Sequence, residues 1–151
     1  MRLRERYGSV AAGIKDSSGD WENMKMLARE MPDFSVYAGT EKFLLDILRE
    51  GGAGCITATG NLTSPACQEV YRNWRSGNTD QAHQAQEALT HQRLTLQQKP
   101  FVSGLKALLQ QSTSDSNWNH LLPPFVPLSK EEKTTFLEEV SAAGIQLPGR
   151  I

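Results

Sequence analysis

Residues 10–20 read VAAGIKDSSGD, and this stretch joins a short apolar run to one lysine and a small polar turn. Asp20 stands at the position of a helix N-cap, immediately before a helical pattern that begins at Trp21. The stretch therefore predicts a buried strand over residues 9–15, followed by a turn and a helix. In α/β folds, ligands and reactive groups lie at the carboxyl ends of the strands, so Lys15 is placed where chemistry occurs.

Two further strand signals follow the first one, with a helical pattern before each. Residues 34–38 read FSVYA and end at Gly39, and residues 53–57 read AGCIT. Apolar residues at helical spacing over residues 21–30 and 41–50 separate the three predicted strands. Strands that alternate with short helices indicate right-handed βαβ units and a parallel sheet. We therefore expect the three strand ends to meet at one edge of one sheet.

The pattern changes to helices alone after residue 63. Ser64-Pro65 predicts the start of the first of these helices, because proline fits the first helical turn. Ser129 and Glu132 have the spacing of a capping box for a last helix, which Gly144 ends. The region between is predicted to contain helices over residues 65–76, 79–98 and 101–111 and an extended proline-rich segment over residues 122–127.

The composition narrows the class of protein. The chain has 151 residues, enough for a substantial core, and a formal net charge of -1 at pH 7. That charge argues against electrostatic binding of nucleic acid or of an anionic membrane surface. No segment reaches the roughly 20 apolar residues of a membrane span, and the basic start of the chain lacks the apolar run of a signal peptide. We therefore predict a cytoplasmic protein with neither a nucleic-acid nor a membrane partner.

The cysteines and histidines do not form a recognisable motif. Cys55 and Cys67 are not a CxxC pair, and we expect both to serve as small buried apolar residues in a reducing compartment. His83 and His91 lie two turns apart on one predicted helix, too far to share a metal without further ligands, and His120 lies in a loop. The sequence therefore predicts no metal site.

Lys15 has three interpretations on its local sequence alone. A lysine buried at the end of an apolar strand would have a lowered pKa, and its neutral amine could attack a carbonyl carbon. The turn and helix start over residues 17–20 would equally suit a bound phosphate, because a helix N-terminus attracts anions. The third interpretation is an ordinary solvated lysine, as most lysines are. The local sequence leaves all three open.

The wider chain adds a resemblance. The segments VAAGIKDSSGD at residues 10–20, YAGT at residues 37–40, GAGCITATGN at residues 52–61 and LPPFVPLS at residues 122–129 follow one another in this order. Together they resemble the C-terminal half of the dihydrodipicolinate synthase and N-acetylneuraminate lyase family, whose members are (β/α)8-barrel class I aldolases and lyases. The resemblance implies an α/β fold that is the C-terminal portion of a TIM barrel, with three parallel strands and helices followed by an α-helical extension. It divides the chain into residues 1–64, with strands six to eight of the barrel, and residues 65–151, with the last barrel helix and the C-terminal helical region.

The resemblance also implies a reaction. Lys15 would be the catalytic residue and would form an imine with a 2-oxo acid such as pyruvate, beside which a C–C bond is made or broken. Gly39 and Ile56 would bind the 2-oxo acid, largely through backbone atoms. No cofactor is implied, and a homo-oligomer is expected.

One departure from the family keeps a second interpretation open. A (β/α)8 barrel alone needs about 250 residues, and the resemblance begins just before the sixth strand. The glycine-rich carboxylate-binding turn and the proton-shuttling tyrosine of the family therefore have no counterpart in this sequence. The first hypothesis is a truncated aldolase that acts through Lys15. The alternative is an inactive fragment that serves only as a structural or oligomerising module, and a small phosphate-binding domain is a weaker third.

Overall fold

The computed structural model describes residues 2–147. Its helices are α1 (Arg2–Tyr7), α2 (Trp21–Glu30), α3 (Leu44–Arg49), α4 (Gly60–Arg75), α5 (Thr79–Leu96), α6 (Phe101–Thr113) and α7 (Lys130–Ala142), and its strands are β1 (Gly13–Asp16), β2 (Ser35–Ala38) and β3 (Gly54–Cys55). Short 3₁₀ turns cover Gly8–Val10, Glu41–Phe43 and Ser116–Asn119. No helix within residues 2–147 is both long enough and apolar enough to cross a lipid bilayer.

The chain divides into two compact units. Among the described residues, the first unit contains residues 2–57 together with Cys67–Gln86, and the second contains Ala58–Ala66 together with residues 87–147. The first unit therefore holds all three strands. The division of the chain at residue 64 that the family resemblance implies stays a prediction.

The three strands form one parallel sheet in the order β1-β2-β3, which confirms the predicted parallel pairing. Gly13 lies opposite Ser35 in the β1–β2 pair, and Tyr37 lies opposite Gly54 in the β2–β3 pair. Because β2 is central, β1 and β3 are the edge strands of the sheet that residues 2–147 form.

Helix α2 begins and packs as its sequence predicts. The Asp20 carboxylate accepts hydrogen bonds from the backbone N–H groups of Glu22 and Asn23, at 3.0 and 3.3 Å, and so satisfies two donors of the first turn. Met24 and Ala28, one turn apart, are the buried residues of this helix. They belong to the core of the first unit, a buried cluster of Met24, Ala28, Val36, Ala38 and Ile47.

The predicted first strand is wrong in its extent and in its burial. Gly8–Val10 forms a 3₁₀ turn, and the strand begins only at Gly13. Gly13, Ile14 and Lys15 are exposed, and only Asp16 is buried. The physical reason is position, because within residues 2–147 β1 pairs along one edge only. An apolar sequence is buried only where other elements cover it.

The third strand and the helix after it also differ from their predictions. β3 contains only Gly54 and Cys55, so Ile56 lies outside it. Helix α4 begins at Gly60 and contains Pro65 in its interior, whereas the sequence predicted proline in its first turn. The earlier start follows from Thr59, whose carbonyl accepts the backbone N–H groups of Leu62 and Thr63 at 2.8 and 3.0 Å.

The second unit has its own hydrophobic core and an ordered last helix. Its buried cluster contains Leu62, Leu96, Leu108, Phe136, Val140 and Ile145. The predicted capping box of α7 is confirmed: Ser129 Oγ accepts the backbone N–H of Glu132 at 3.2 Å, and the Glu132 carboxylate accepts the backbone N–H of Ser129 at 2.8 Å. Gly144 follows α7 with φ +69°, a conformation that favours glycine at a helix end.

Candidate functional site

The three residues that the sequence singled out lie at successive strand ends. Lys15 is in β1, opposite Tyr37 of β2. The backbone N–H of Gly39 donates to the carbonyl of Asp16 at 2.7 Å, so Gly39 continues the ladder one step past the end of β2. The N–H of Ile56 donates to the carbonyl of Ala38 at 2.9 Å and does the same past β3. Since neighbouring strands are about 4.8 Å apart, one small ligand could contact all three positions along this carboxyl edge.

This carboxyl edge is open to solvent. Lys15 is exposed and Ile56 is 48% exposed. The prediction that apolar neighbours bury Lys15 is therefore wrong within residues 2–147.

Gly39 is required by a close approach of two backbone segments. A Cβ atom at this position would lie 2.6 Å from the carbonyl oxygen of Asp16 and 2.8 Å from Cα of Ser17. Both are backbone atoms, so a larger side chain would force the turn after β1 away from the turn after β2. The absence of a side chain also leaves the Gly39 backbone accessible to a small ligand.

Asp16 is the residue that the sequence analysis missed. It is 6% exposed, and its carboxylate accepts the backbone N–H of Ser18 at 2.8 Å and the side-chain amide of Asn23 at 2.7 Å. Burial alone would raise the pKa of Asp16, but the hydrogen bonds from Ser18 and Asn23 outweigh it and lower the pKa. Asp16 thus joins the strand end beside Lys15 to helix α2 and, through its carbonyl, to Gly39. The signal was an aspartate two positions before a serine, the spacing of an Asx turn.

The donors after Lys15 are already used by carboxylates of the chain itself. Asp16 accepts the N–H of Ser18, and Asp20 accepts the N–H groups of Glu22 and Asn23. An anion at this helix start would meet two carboxylates in place of unsatisfied donors, which disfavours the phosphate-binding interpretation of residues 17–20.

Arg93 and Thr59 form a polar contact in the second unit that the sequence did not indicate. Thr59 is fully buried, and Arg93 Nη1 donates to its hydroxyl at 2.7 Å. The Arg93 guanidinium also lies 4.5 Å from the ring centroid of Phe101, in cation–π geometry. The contact explains why Thr59 is buried at the start of α4: its hydroxyl is hydrogen bonded.

The cysteines are less buried than the sequence predicted. Cys55 and Cys67 are free thiols and half-buried. The pKa of Cys55 is raised by a hydrogen bond with Cys67, by burial and by nearby negative charge. Within residues 2–147, no group of three or more His, Cys, Asp or Glu side chains is arranged to hold a metal ion.

The geometry defines an α/β protein whose candidate site lies at the carboxyl edge of a parallel sheet. Residues 2–143 match the sequence profile of the Dihydrodipicolinate synthetase family, and the chain belongs to this family. The resemblance noted in the sequence is therefore confirmed.

Relatives and solved structures match nearly all of this chain but only half of their own length. The 4-hydroxy-tetrahydrodipicolinate synthase of Bacillus subtilis is 31% identical over 147 residues, which cover 93% of this chain and 48% of that protein. YagE of E. coli K12, solved in complex with pyruvate, is similar with a TM-score of 0.82 and 23% identity, over 95% of this chain and 50% of that one. N-acetylneuraminate lyase from Mycoplasma synoviae gives a TM-score of 0.80 and 19% identity, over 97% and 49%. The chain thus spans about half the length of these proteins.

Proposed function

We propose that this chain supplies the imine-forming part of a lyase or aldolase that acts on a 2-oxo acid such as pyruvate. In this proposal the sheet is strands six to eight of a (β/α)8 barrel, and the helices of residues 65–151 are the last barrel helix and a C-terminal extension. Family membership and the pyruvate bound to YagE support the substrate class. The observation that carries the proposal is the placement of Lys15, Gly39 and Ile56 at three successive strand ends of one sheet edge.

The chemistry begins with the Lys15 amine. Its neutral Nζ attacks the C2 carbonyl carbon of the 2-oxo acid, and loss of one water molecule leaves an imine. Protonation of the imine nitrogen makes C2 an electron sink, so the bond from C3 to an aldehyde-derived carbon can form or break. Gly39 and Ile56 lie against the 2-oxo acid largely through backbone atoms other than their N–H groups, which already donate within the sheet. Asp16 is a positioning residue, because its hydrogen bonds fix the turn that follows Lys15.

Self-association is the second part of the proposal. Val10, in the turn before β1, is 85% exposed, Ile14 of β1 is 41% exposed, and one edge of β1 has no partner within residues 2–147. An apolar strand edge favours association with another chain. We therefore propose a homo-oligomer in the cytoplasm, and light scattering over a range of protein concentrations measures its size.

Reductive trapping tests the imine. The purified chain is incubated with pyruvate and sodium borohydride and then weighed by mass spectrometry. We expect one adduct with the mass of pyruvate less one oxygen atom, mapped by peptide analysis to Lys15. Lys15→Arg abolishes it, and Lys42→Arg, at another exposed lysine of the same unit, retains it.

Absence of an adduct on a chain that circular dichroism shows to be folded overturns imine formation by these 151 residues. The alternative function, a structural or oligomerising module without catalysis, is favoured by one observation: Lys15 is exposed among the described residues. That function predicts a stable oligomer, no trapped adduct, and the same oligomer in Lys15→Arg.

A further inference from the structure

One glutamine of helix α5 holds the turn that follows β2. Gln86 belongs to the first unit, as do β2 and α3. Its side-chain Oε1 accepts the backbone N–H of Leu45 at 2.9 Å, and its Nε2 donates to the carbonyls of Glu41 and Lys42 at 3.0 and 3.3 Å. Three backbone groups of one turn are thus bound to one side chain, which lies 41 to 45 residues further along the chain.

The chemistry of these three hydrogen bonds requires an amide. The N–H of Leu45 lies in the first turn of α3, where backbone N–H groups have no acceptor within the helix, and the Gln86 oxygen supplies one. The amide fits in one orientation only, because after a flip its oxygen would face two carbonyls and its NH₂ group would face an N–H. A carboxylate or an apolar side chain of the same size cannot make this set of bonds.

The helix that carries Gln86 is itself fastened to α3. His83 lies one turn before Gln86 on α5 and is hydrogen bonded to Arg49, the last residue of α3. Ala82, beside His83, is buried. Helix α5 therefore contacts the start of α3 through Gln86 and its end through His83, and the Gln86 amide has a fixed origin from which to hold the turn.

The turn that Gln86 holds continues directly from Gly39. The N–H of Gly39 donates to the carbonyl of Asp16 in β1, and the carbonyl of Glu41, two residues later, accepts from Gln86 in α5. The Gly39 backbone is thus placed from two directions. Under the proposed function this backbone lies against the 2-oxo acid, so a shift of the turn would move it away from the substrate.

We propose that Gln86 is a positioning residue for the 2-oxo acid, which fixes the turn after β2 and thereby the place of the Gly39 backbone near Lys15. The inference rests on the proposed function. Gln86 neither contacts the substrate nor exchanges a proton in this assignment. Its loss therefore weakens the binding of pyruvate and leaves the reactivity of the Lys15 amine unchanged.

Trapping over a range of pyruvate concentrations separates positioning from chemistry. The full chain is reduced with cyanoborohydride, and the rate of adduct formation is followed by mass spectrometry. In Gln86→Met we expect the half-saturating pyruvate concentration to rise about five- to ten-fold, with the rate at saturation within about two-fold of wild type. Gln84→Met, at an exposed position of the same helix, is the matched control and should leave both values unchanged. An unchanged half-saturating concentration in Gln86→Met overturns the proposal.

Hydrogen exchange tests the same assignment without imine formation. In Gln86→Met the amides of Gly39 and Leu45 should exchange at least about ten-fold faster than in wild type, while the amide of Met24 in α2 keeps its rate. Unchanged exchange at Gly39 and Leu45 contradicts the assignment, as does equally faster exchange at all three, which indicates a general loss of stability. If wild type forms no adduct, the proposed function fails, and the exchange rates still decide whether Gln86 holds the turn.

Gln86→Glu is a second variant in case Gln86→Met does not fold. It changes almost no volume and still accepts from Leu45, but at pH 7 a carboxylate oxygen replaces the donors that face the carbonyls of Glu41 and Lys42. Both readouts should change in the same direction as in Gln86→Met. Gln84→Glu adds the same charge at the exposed position and should match wild type. Wild-type values in Gln86→Glu contradict the proposal.

Discussion

β1 and β2 have the same length and pair residue by residue, yet their burial is opposite. Ile14 of β1 lies directly opposite Val36 of β2; Ile14 is 41% exposed, and Val36 is fully buried. β2 has a strand on each side and packs into the core with α2 and Ile47, whereas β1 pairs with β2 alone within residues 2–147. The difference shows that position in the sheet, rather than apolar sequence, decides which strand stabilises this unit.

The largest loss of stability is expected for a substitution in β2, the central strand of the sheet. Val36→Ala removes two methyl groups from a fully buried site and should lower the free energy of unfolding by about 2.5 kcal/mol. Urea unfolding followed by circular dichroism measures the change. A loss smaller than about 1 kcal/mol would show that β2 is no better packed than β1, and the contrast between the strands would fail.

A substitution at Gly39, where the turns after β1 and β2 approach each other, should lower the free energy of unfolding slightly less. Gly39→Ala places a Cβ atom against the backbone of Asp16 and Ser17, so the two turns must separate. We expect a loss of about 2 kcal/mol in unfolding free energy. Hydrogen exchange at the Gly39 amide, which donates to the Asp16 carbonyl, should become faster than at the other amides of β2. Unchanged exchange at that amide would mean that the turns tolerate the methyl group.

Asp16, the one buried residue of β1, should contribute more to the free energy of unfolding than its exposed neighbours. Asp16→Asn weakens the hydrogen bonds to Ser18 and Asn23 and should cost about 1.5 kcal/mol at pH 7. The folded-state pKa of Asp16 lies below its ordinary value of 3.8, so its ionised form favours folding above that pH. The contribution is lost as pH falls through the folded pKa.

Unfolding at several pH values checks the sign of this effect. The stability gap between wild type and Asp16→Asn should be full at pH 5 to 7 and should narrow below about pH 4. The exposed Asp33→Asn is the matched control and should show a gap near zero throughout. A difference in unfolding free energy between wild type and Asp16→Asn that widens in acid would contradict the lowered pKa of Asp16.

The smallest effect is expected at the exposed partner of Val36. Ile14→Ala should change the free energy of unfolding by less than about 0.5 kcal/mol, because its side chain already contacts solvent. The same urea experiment measures both register partners. A loss at Ile14 as large as that at Val36 would mean that another molecule or segment covers β1 in solution, and light scattering would distinguish a second copy.

The order of the helices and strands could be predicted from the sequence, because each helix cap and each periodic pattern involves residues that are close together in the chain. The Asp20 cap, the spacing of Met24 and Ala28 and the capping box at Ser129 each depend on a few neighbouring residues, and each is confirmed. Burial could not be predicted at β1, because it depends on which elements lie beside the strand. The start of α4 was misplaced because the carbonyl of Thr59 closes a turn before Pro65 is reached.

The candidate site could also be predicted only in part. The order of Lys15, Gly39 and Ile56 along a parallel sheet edge follows from alternating strands and helices, and their roles stay a prediction. The hydrogen bond between Asp16 and Asn23 could not be found by spacing, because Asn23 lies on helix α2, which only the folded structure brings near to the end of β1.

The sequential strand order also bears on the time course of folding. Each strand pairs with the next one along the chain: Gly13 lies opposite Ser35, and Tyr37 lies opposite Gly54. No strand therefore needs a more distant segment before it can pair. Closing a short connection costs less conformational entropy than closing a long one. Sheets with local pairing therefore form faster than those that join segments far apart in sequence. During synthesis on the ribosome, β1, α2 and β2 could pair before the helical second half has emerged, which shortens the time for which the apolar face of β2 is exposed to other nascent chains.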